Sequence, residues 1–185
     1  MDNECLVVGY MLRILSIGKE TYQSNAELCL AARAFGAAGV VLSSRKDPKL
    51  VKYMKLTNSK WGGCFEVEFE SNYMKALDKE SSYKKVYLTR YGVPLPEVIS
   101  TLRTYRNLLL IVTDKEAFSP AYMHADFSVS ITAQPHSSAS AIAVFLHEFY
   151  SGRELAMHFE NARYKVVPSE QGVHVEKVDR GKPKR

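Results

Sequence analysis

The feature that most narrows what this chain can fold into is an alternation of short apolar, β-branched runs with longer amphipathic stretches. The runs are Tyr10 to Leu15, Gly39 to Leu42, Cys64 to Phe69, Lys85 to Leu88, Leu108 to Val112, Phe127 to Ile131 and Tyr164 to Val167. Apolar runs of strand length with amphipathic helices between them predict an α/β fold, a mainly parallel sheet flanked by helices. At 185 residues the chain supplies one core of this kind and too little for two. The expectation is a single domain over residues 1–175 and a basic flexible tail at 176–185.

The crossover helices leave their own marks. Ser24 and Asn25 are candidate caps for a helix whose Leu28, Ala31, Ala32 and Phe35 share one face, with Gly36 as its stop. Asp47 and Pro48 open a second helix that carries Leu50, Val51 and Met54 inward. A third is predicted from Pro94 or Pro96 to about Thr104. The stretch Ser137 to Tyr150 is apolar on two sides, with Ala139, Ile142, Leu146 and Phe149 on one stripe and Val144 and Phe145 beside it. Such a helix is buried against more than its own sheet, as a central core helix or with one side against a partner subunit.

Several function classes are disfavoured by what is missing. The apolar runs are too short to span a bilayer, and residues 1–5 show no secretory start, so a soluble, cytoplasmic protein is expected. Cys5, Cys29 and Cys64 are widely spaced and read as reduced thiols. Five histidines, all in the second half of the chain, lack metal-site spacing, so no metal is expected. There is no Gly-x-Gly-x-x-Gly, no P-loop and no nucleophile elbow. Of the net charge of +5, residues 163–185 hold +4, so any nucleic-acid partner must be met by local patches. The candidates are Lys46, Lys49, Lys52 and Lys55, three apart on the second helix, with Arg90 as a neighbour. The alternative for this stripe is a solvated face.

Ligands of open α/β sheets settle beyond the carboxyl ends of the strands, which brings forward three loops: Thr89 to Gly92, Thr113 to Phe118 and Thr132 to Ser138. In the last, Pro135 stiffens the turn and Ser137 or Ser138 can cap the following helix. A plain strand-to-helix turn is the competing reading there.

Three stretches together resemble the archaeal tRNA (cytidine-56)-2′-O-methyltransferases of the SPOUT superfamily. They are Leu30 to Ala37; Trp61-Gly62-Gly63 with Leu88-Thr89-Arg90-Tyr91-Gly92; and Gln134-Pro135-His136-Ser137 leading into Ala141 to Leu146. The likeness covers about residues 11–170. It implies a SPOUT-like fold with a C-terminal trefoil knot, a homodimer, S-adenosylmethionine as cofactor and a tRNA ribose 2′-hydroxyl in the T-loop as methyl acceptor. It also implies a cofactor set of Leu88, Thr113, Asp114, Lys115, Ile131, Thr132, Ala133, Gln134, Pro135, His136 and Ser137.

The chain departs from that pattern in two places. Relatives follow the first strand with Gly-His-Arg, Arg-Asp-x-Arg and Thr-His, where this chain has Leu15-Ser16-Ile17, Glu20 to Gln23 and Ala26-Glu27, so every arginine of that element is missing. Arg13 and Lys19 lie nearest and are the candidate catalytic substitutes. Two cofactor-loop glycines are replaced by Thr113 and Thr132, and a β-branched residue resists the close approach that glycine permits. The alternative reading is therefore a weak or inactive tRNA-binding protein on the same scaffold.

Overall fold

A computed structural model describes residues 9–18, 21–115 and 117–178. In chain order the elements are β1 (Met11–Ile17), α1 (Tyr22–Ala34), β2 (Gly39–Ser43), α2 (Pro48–Trp61), β3 (Glu66–Phe69), α3 (Tyr73–Lys79), β4 (Lys84–Pro94), α4 (Leu95–Leu102), β5 (Asn107–Thr113), α5 (Ser119–His124), β6 (Phe127–Ser130), α6 (Ser138–Tyr150), a 3-10 turn (Arg153–Ala156), β7 (Tyr164–Val167) and β8 (His174–Lys177). The main sheet has the order β3-β2-β1-β5-β4-β6, and every pairing in it is parallel.

Side chains alternate along the central strands and so divide the core into two layers. Leu12 and Ile14 of β1 and Leu108, Leu110 and Val112 of β5 face a layer built with α1, α2, α4 and α6. Leu15, Ile17, Leu109 and Ile111 face the smaller layer under α3 and α5. These residues are almost wholly buried, and each contributes roughly 2 kcal/mol of transfer free energy. Helix α6 lies against α1 and α4 with Ile142, Phe145, Leu146 and Phe149 buried, and the Tyr150 hydroxyl donates to the Gly36 carbonyl at 3.1 Å. Val144 on the same helix is exposed.

Some expectations change. The cap of α1 is Thr21, whose hydroxyl accepts from Ser24 N at 3.2 Å, so the helix starts earlier than Ser24 and Asn25 suggested. Tyr164–Val167 does not join the main sheet. It forms a separate antiparallel hairpin with β8, and β8 takes in Glu176 and Lys177, which were assigned to the tail; residues 179–185 lie outside the described residues. Cys64 is disulfide-bonded, which corrects the reading of three reduced thiols, since the cysteine spacing carries no signature of a pairing; Cys29 is a buried thiol. Among the described residues no helix is long and apolar enough to cross a membrane.

Candidate active site

A cleft of about 200 Å³ opens beyond the carboxyl ends of β4 and β5. Its first wall comes from an irregularity in β4. Leu88 and Val93 both register on Val129 of β6, so Thr89 to Gly92 leave the ladder between them. Gly92 permits this because a Cβ there would stand 2.5 Å from the backbone of Ser128 and Val129.

The second wall follows β5. Asp114 N donates to the Ile17 carbonyl at 3.1 Å, which folds the loop against the end of β1. Gly18, at φ +146°, accommodates it; a Cβ there would meet the Asp114 carboxyl carbon at 2.2 Å. The Thr113 hydroxyl is engaged within this wall, donating to the Lys115 carbonyl at 2.7 Å, with Tyr87 Oη at 3.1 Å on its other side. The third wall is the connection from β6 to α6. Gln134 N donates to Thr132 Oγ1 at 3.3 Å, and Ser137 caps α6 by accepting from Ser140 N at 3.1 Å.

Of the cofactor set expected from the sequence, Leu88, Thr113, Asp114, Lys115, Pro135 and His136 line this cleft. Ile131 instead packs against the core, Thr132 and Gln134 form the turn, Ala133 is exposed, and Ser137 is engaged as the cap, none of them in the lining. Thr89, Tyr91, Ala117 and Ser138, which lie in the three loops brought forward from the sequence, line it as well, and so do Tyr87, Val112 and Ala141, which the sequence reading missed. Leu88, Val112 and Ala141 give an apolar floor, and Asp114, Lys115, His136 and Arg90 give polar edges. The Arg90 guanidinium lies over the Tyr91 ring at 5.4 Å, and its Nη2 donates to the Tyr91 hydroxyl at 3.2 Å. Tyr91 is 61% exposed at the lip.

Arg13 is not part of this arrangement. It pairs in register with Leu109, four residues upstream of Thr113 and on the order of 13 Å back along the sheet. There its guanidinium is bound to Glu68 at 2.5 Å and Glu80 at 2.8 Å. Burial opposes its charge, but the bond to Glu68 and the charge of Glu80 outweigh that and raise its pKa. Burial likewise disfavours the Glu68 carboxylate, yet hydrogen bonds from Lys79 and Arg13 hold it below its usual range. For Glu80 burial prevails and the carboxyl is pushed up. Arg13 is therefore a structural ion-pair residue, correcting its candidacy for catalysis. Lys19 lies outside the described residues.

The predicted basic stripe is exposed at Lys46, Lys49, Lys52 and Lys55, with Lys46 ahead of α2 and the other three on it, opposite buried Leu50 and Met54. Two of the motif stretches meet outside the cleft lining, at the C-terminal ends of α1 and α2. Buried Arg33 donates from Nε to Asn58 Oδ1 at 2.9 Å and from Nη2 to the Gly62 carbonyl at 2.6 Å, and lies over Phe159 at 4.6 Å. Among the described residues no group of three or more His, Cys, Asp or Glu is placed to hold a metal ion.

Comparison with known proteins gives one answer. A family model described as tRNA ribose 2′-O-methyltransferase, aTrm56, matches residues 61–176. The chain is 37% identical to a tRNA (cytidine(56)-2′-O)-methyltransferase of Methanobrevibacter smithii, over 86% of this chain and 89% of that one. It is 40% identical to one of Methanopyrus kandleri, over 83% and 88% respectively. In three dimensions it is similar to the SpoU methyltransferase AviRb of Streptomyces viridochromogenes, solved in complex with AdoMet (TM-score 0.59, 16% identity, 78% of this chain and 58% of that one). It is also similar to an A. aeolicus TrmH/SpoU tRNA modifying enzyme (TM-score 0.56, 16% identity, 78% and 76%). At such identities these two establish a shared fold.

Proposed function

The chain belongs to the tRNA ribose 2′-O-methyltransferase family, aTrm56, and from that premise we infer that it methylates a tRNA ribose, at cytidine 56, using S-adenosylmethionine. The observation that carries this reading is the open cleft: Thr113 and Thr132, standing where glycines were expected, do not fill it, because Thr113 turns its hydroxyl to Tyr87 and Lys115 and Thr132 caps its own turn. The inert tRNA-binding alternative, which needed those side chains to crowd the pocket, is not favoured.

The lining fits the cofactor. Leu88, Val112 and Ala141 offer apolar surface to an adenine or thioether, and the polar rim of Asp114, Lys115 and His136 suits ribose hydroxyls and an amino-acid moiety. S-adenosylmethionine supplies a methyl group already activated by its sulfonium. What remains for the protein is to hold the acceptor hydroxyl in line and to offset charge at the acceptor, a task of proximity and electrostatics. We assign the charge role to Arg90, because it is the arginine that lines the cleft and its stacking on Tyr91 fixes the plane of its guanidinium. The exposed Tyr91 ring beside it offers a face for a nucleobase.

Further parts of the reading rest on fold likeness and surface features. We propose a C-terminal trefoil knot, supported by the close passage of Gly92 against Ser128 and Val129 and by the similarity to SpoU and TrmH structures. We propose a homodimer with the Val144 side of α6 and the exposed Thr132 to Ser137 loop at its interface, in a cytoplasmic enzyme. Incubation with tritiated S-adenosylmethionine and unmodified tRNA, followed by mapping of the labelled ribose, tests the function. Label at cytidine 56 is expected; bound cofactor without label would leave an inert scaffold.

A further inference from the structure

We propose that Tyr87 is the positioning residue of the cofactor cleft: through Thr113 and Phe118 it holds the loop between β5 and α5 in the shape that leaves the cleft open. The proposal rests on the methyltransferase reading and adds a residue that touches the loop from beneath.

The hydrogen bonds fix their own direction. The Thr113 hydroxyl has one proton, which it gives to the Lys115 carbonyl at 2.7 Å, so in the 3.1 Å contact with Tyr87 it must accept. Tyr87 therefore donates, and its oxygen is left to accept from Phe118 N at 3.3 Å. The chain runs from Phe118 N–H through the Tyr87 hydroxyl and the Thr113 hydroxyl to the Lys115 carbonyl, with each proton used once. It ties both ends of the loop to one point on β4. That point is rigid, because Tyr87 is 1% exposed and its ring stands edge-on to Tyr122 at 4.9 Å.

A second feature of the same loop shows why a tie is needed. Ala117 has φ +52°, in the left-handed region where a Cβ is crowded. Such a residue persists only when its surroundings over-determine it. Thr113, Lys115 and Ala117 all line the cleft, so release of the tie lets Ala117 leave that conformation and carries cleft-lining residues with it. The loop's shape, and with it cofactor affinity, is thus set by a hydroxyl on the neighbouring strand.

The test is calorimetric titration of S-adenosylmethionine into wild type, Tyr87→Phe, Ala117→Gly and the double variant, with hydrogen exchange at the Phe118 amide as a ligand-free readout. Tyr87→Phe is expected to weaken binding about tenfold and to speed exchange at Phe118, the scale of losing a buried hydrogen-bond pair. Ala117→Gly in that background is expected to restore most of the affinity, since glycine holds positive φ without strain. The KM for tRNA should stay within about twofold, as the tie acts on the cofactor side alone. Thr113→Val, which deletes the hydroxyl and keeps the shape, is expected to repeat the loss and serves if Tyr87→Phe does not fold. Binding by either variant within about twofold of wild type, unchanged protection at Phe118, or a loss that Ala117→Gly leaves in place overturns the proposal. No heat from wild type overturns the cofactor reading and this proposal with it.

Discussion

Arg33 Nη2 donates to the carbonyl oxygen of Gly62 at 2.6 Å inside the protein, joining the face of one crossover helix to the turn that ends the next. The same guanidinium covers Phe159 and fixes Asn58, whose amide donates to the Phe65 carbonyl at 2.8 Å. Burial lowers its pKa, yet no other side chain offers this fork of donors. Arg33→Ala leaves the Gly62 carbonyl and the Asn58 amide oxygen short of a donor, and the expected cost is about 2–4 kcal/mol. Urea unfolding should show a lower midpoint at unchanged slope; a change below about 0.5 kcal/mol would count against a structural role for this bond.

Arg90 gives a kinetic prediction. Arg90→Ala should lower kcat by on the order of 10²-fold, the usual scale for losing one preorganised charge, while S-adenosylmethionine affinity changes only a few-fold. Arg90→Lys is expected to recover little, because an ammonium lacks the flat stack on Tyr91. Single-turnover methylation at saturating cofactor separates the two effects.

The lysines of α2 are tested by salt. If Lys49, Lys52 and Lys55 meet phosphates, replacing all three by alanine should reduce the slope of log affinity for tRNA against log salt by roughly 2–3. Affinity measured across a salt series at constant pH reads this directly. An unchanged slope would make the stripe a solvated face.

Asp126 carries a pH dependence. Its carboxylate accepts from Lys85 N at 2.8 Å and pairs with Lys84 at 3.0 Å. Burial opposes the charge, but these bonds prevail and hold the pKa below its ordinary value of 3.8. A depressed carboxylate adds stability that is fully present above the unfolded value and disappears as pH falls through the folded one. Asp126→Asn should therefore be less stable than wild type at neutral pH by at most about 1 kcal/mol, given the exposure of the pair, and the gap should close below about pH 4. Thermal denaturation from pH 2 to pH 7 checks it.

Much of this architecture was legible because the central strands are apolar on both faces and the long helices carry clear stripes. Leu28 and Ala32 on α1, and Leu50 and Met54 on α2, fell where their spacing placed them. Helices α3 and α5 escaped notice because seven and six residues are too few to show a period, although Asn72, which caps α3, was a visible signal. The β7–β8 hairpin was half missed because β8 is exposed throughout and offers no apolar run. In the cleft, the loops that follow β5 and β6 were found from the rule about carboxyl ends. Tyr87 was not, because a tyrosine inside a strand reads as packing until its hydroxyl's partner is known. Arg13 was nominated by nearness in sequence, whereas the chemistry gathers at the other end of the strands.

The double registration of Leu88 and Val93 on Val129 means that the four residues between them hang from the sheet without being counted by it. Gly92 must stay small against Ser128 and Val129 and Thr89 is held by the Tyr122 hydroxyl at 3.0 Å, but the side chains of Arg90 and Tyr91 can be exchanged while strand pairing on either side stays as it is. A lineage is thereby free to redraw the lip that greets an incoming nucleotide and leave the foundations beneath it unmoved.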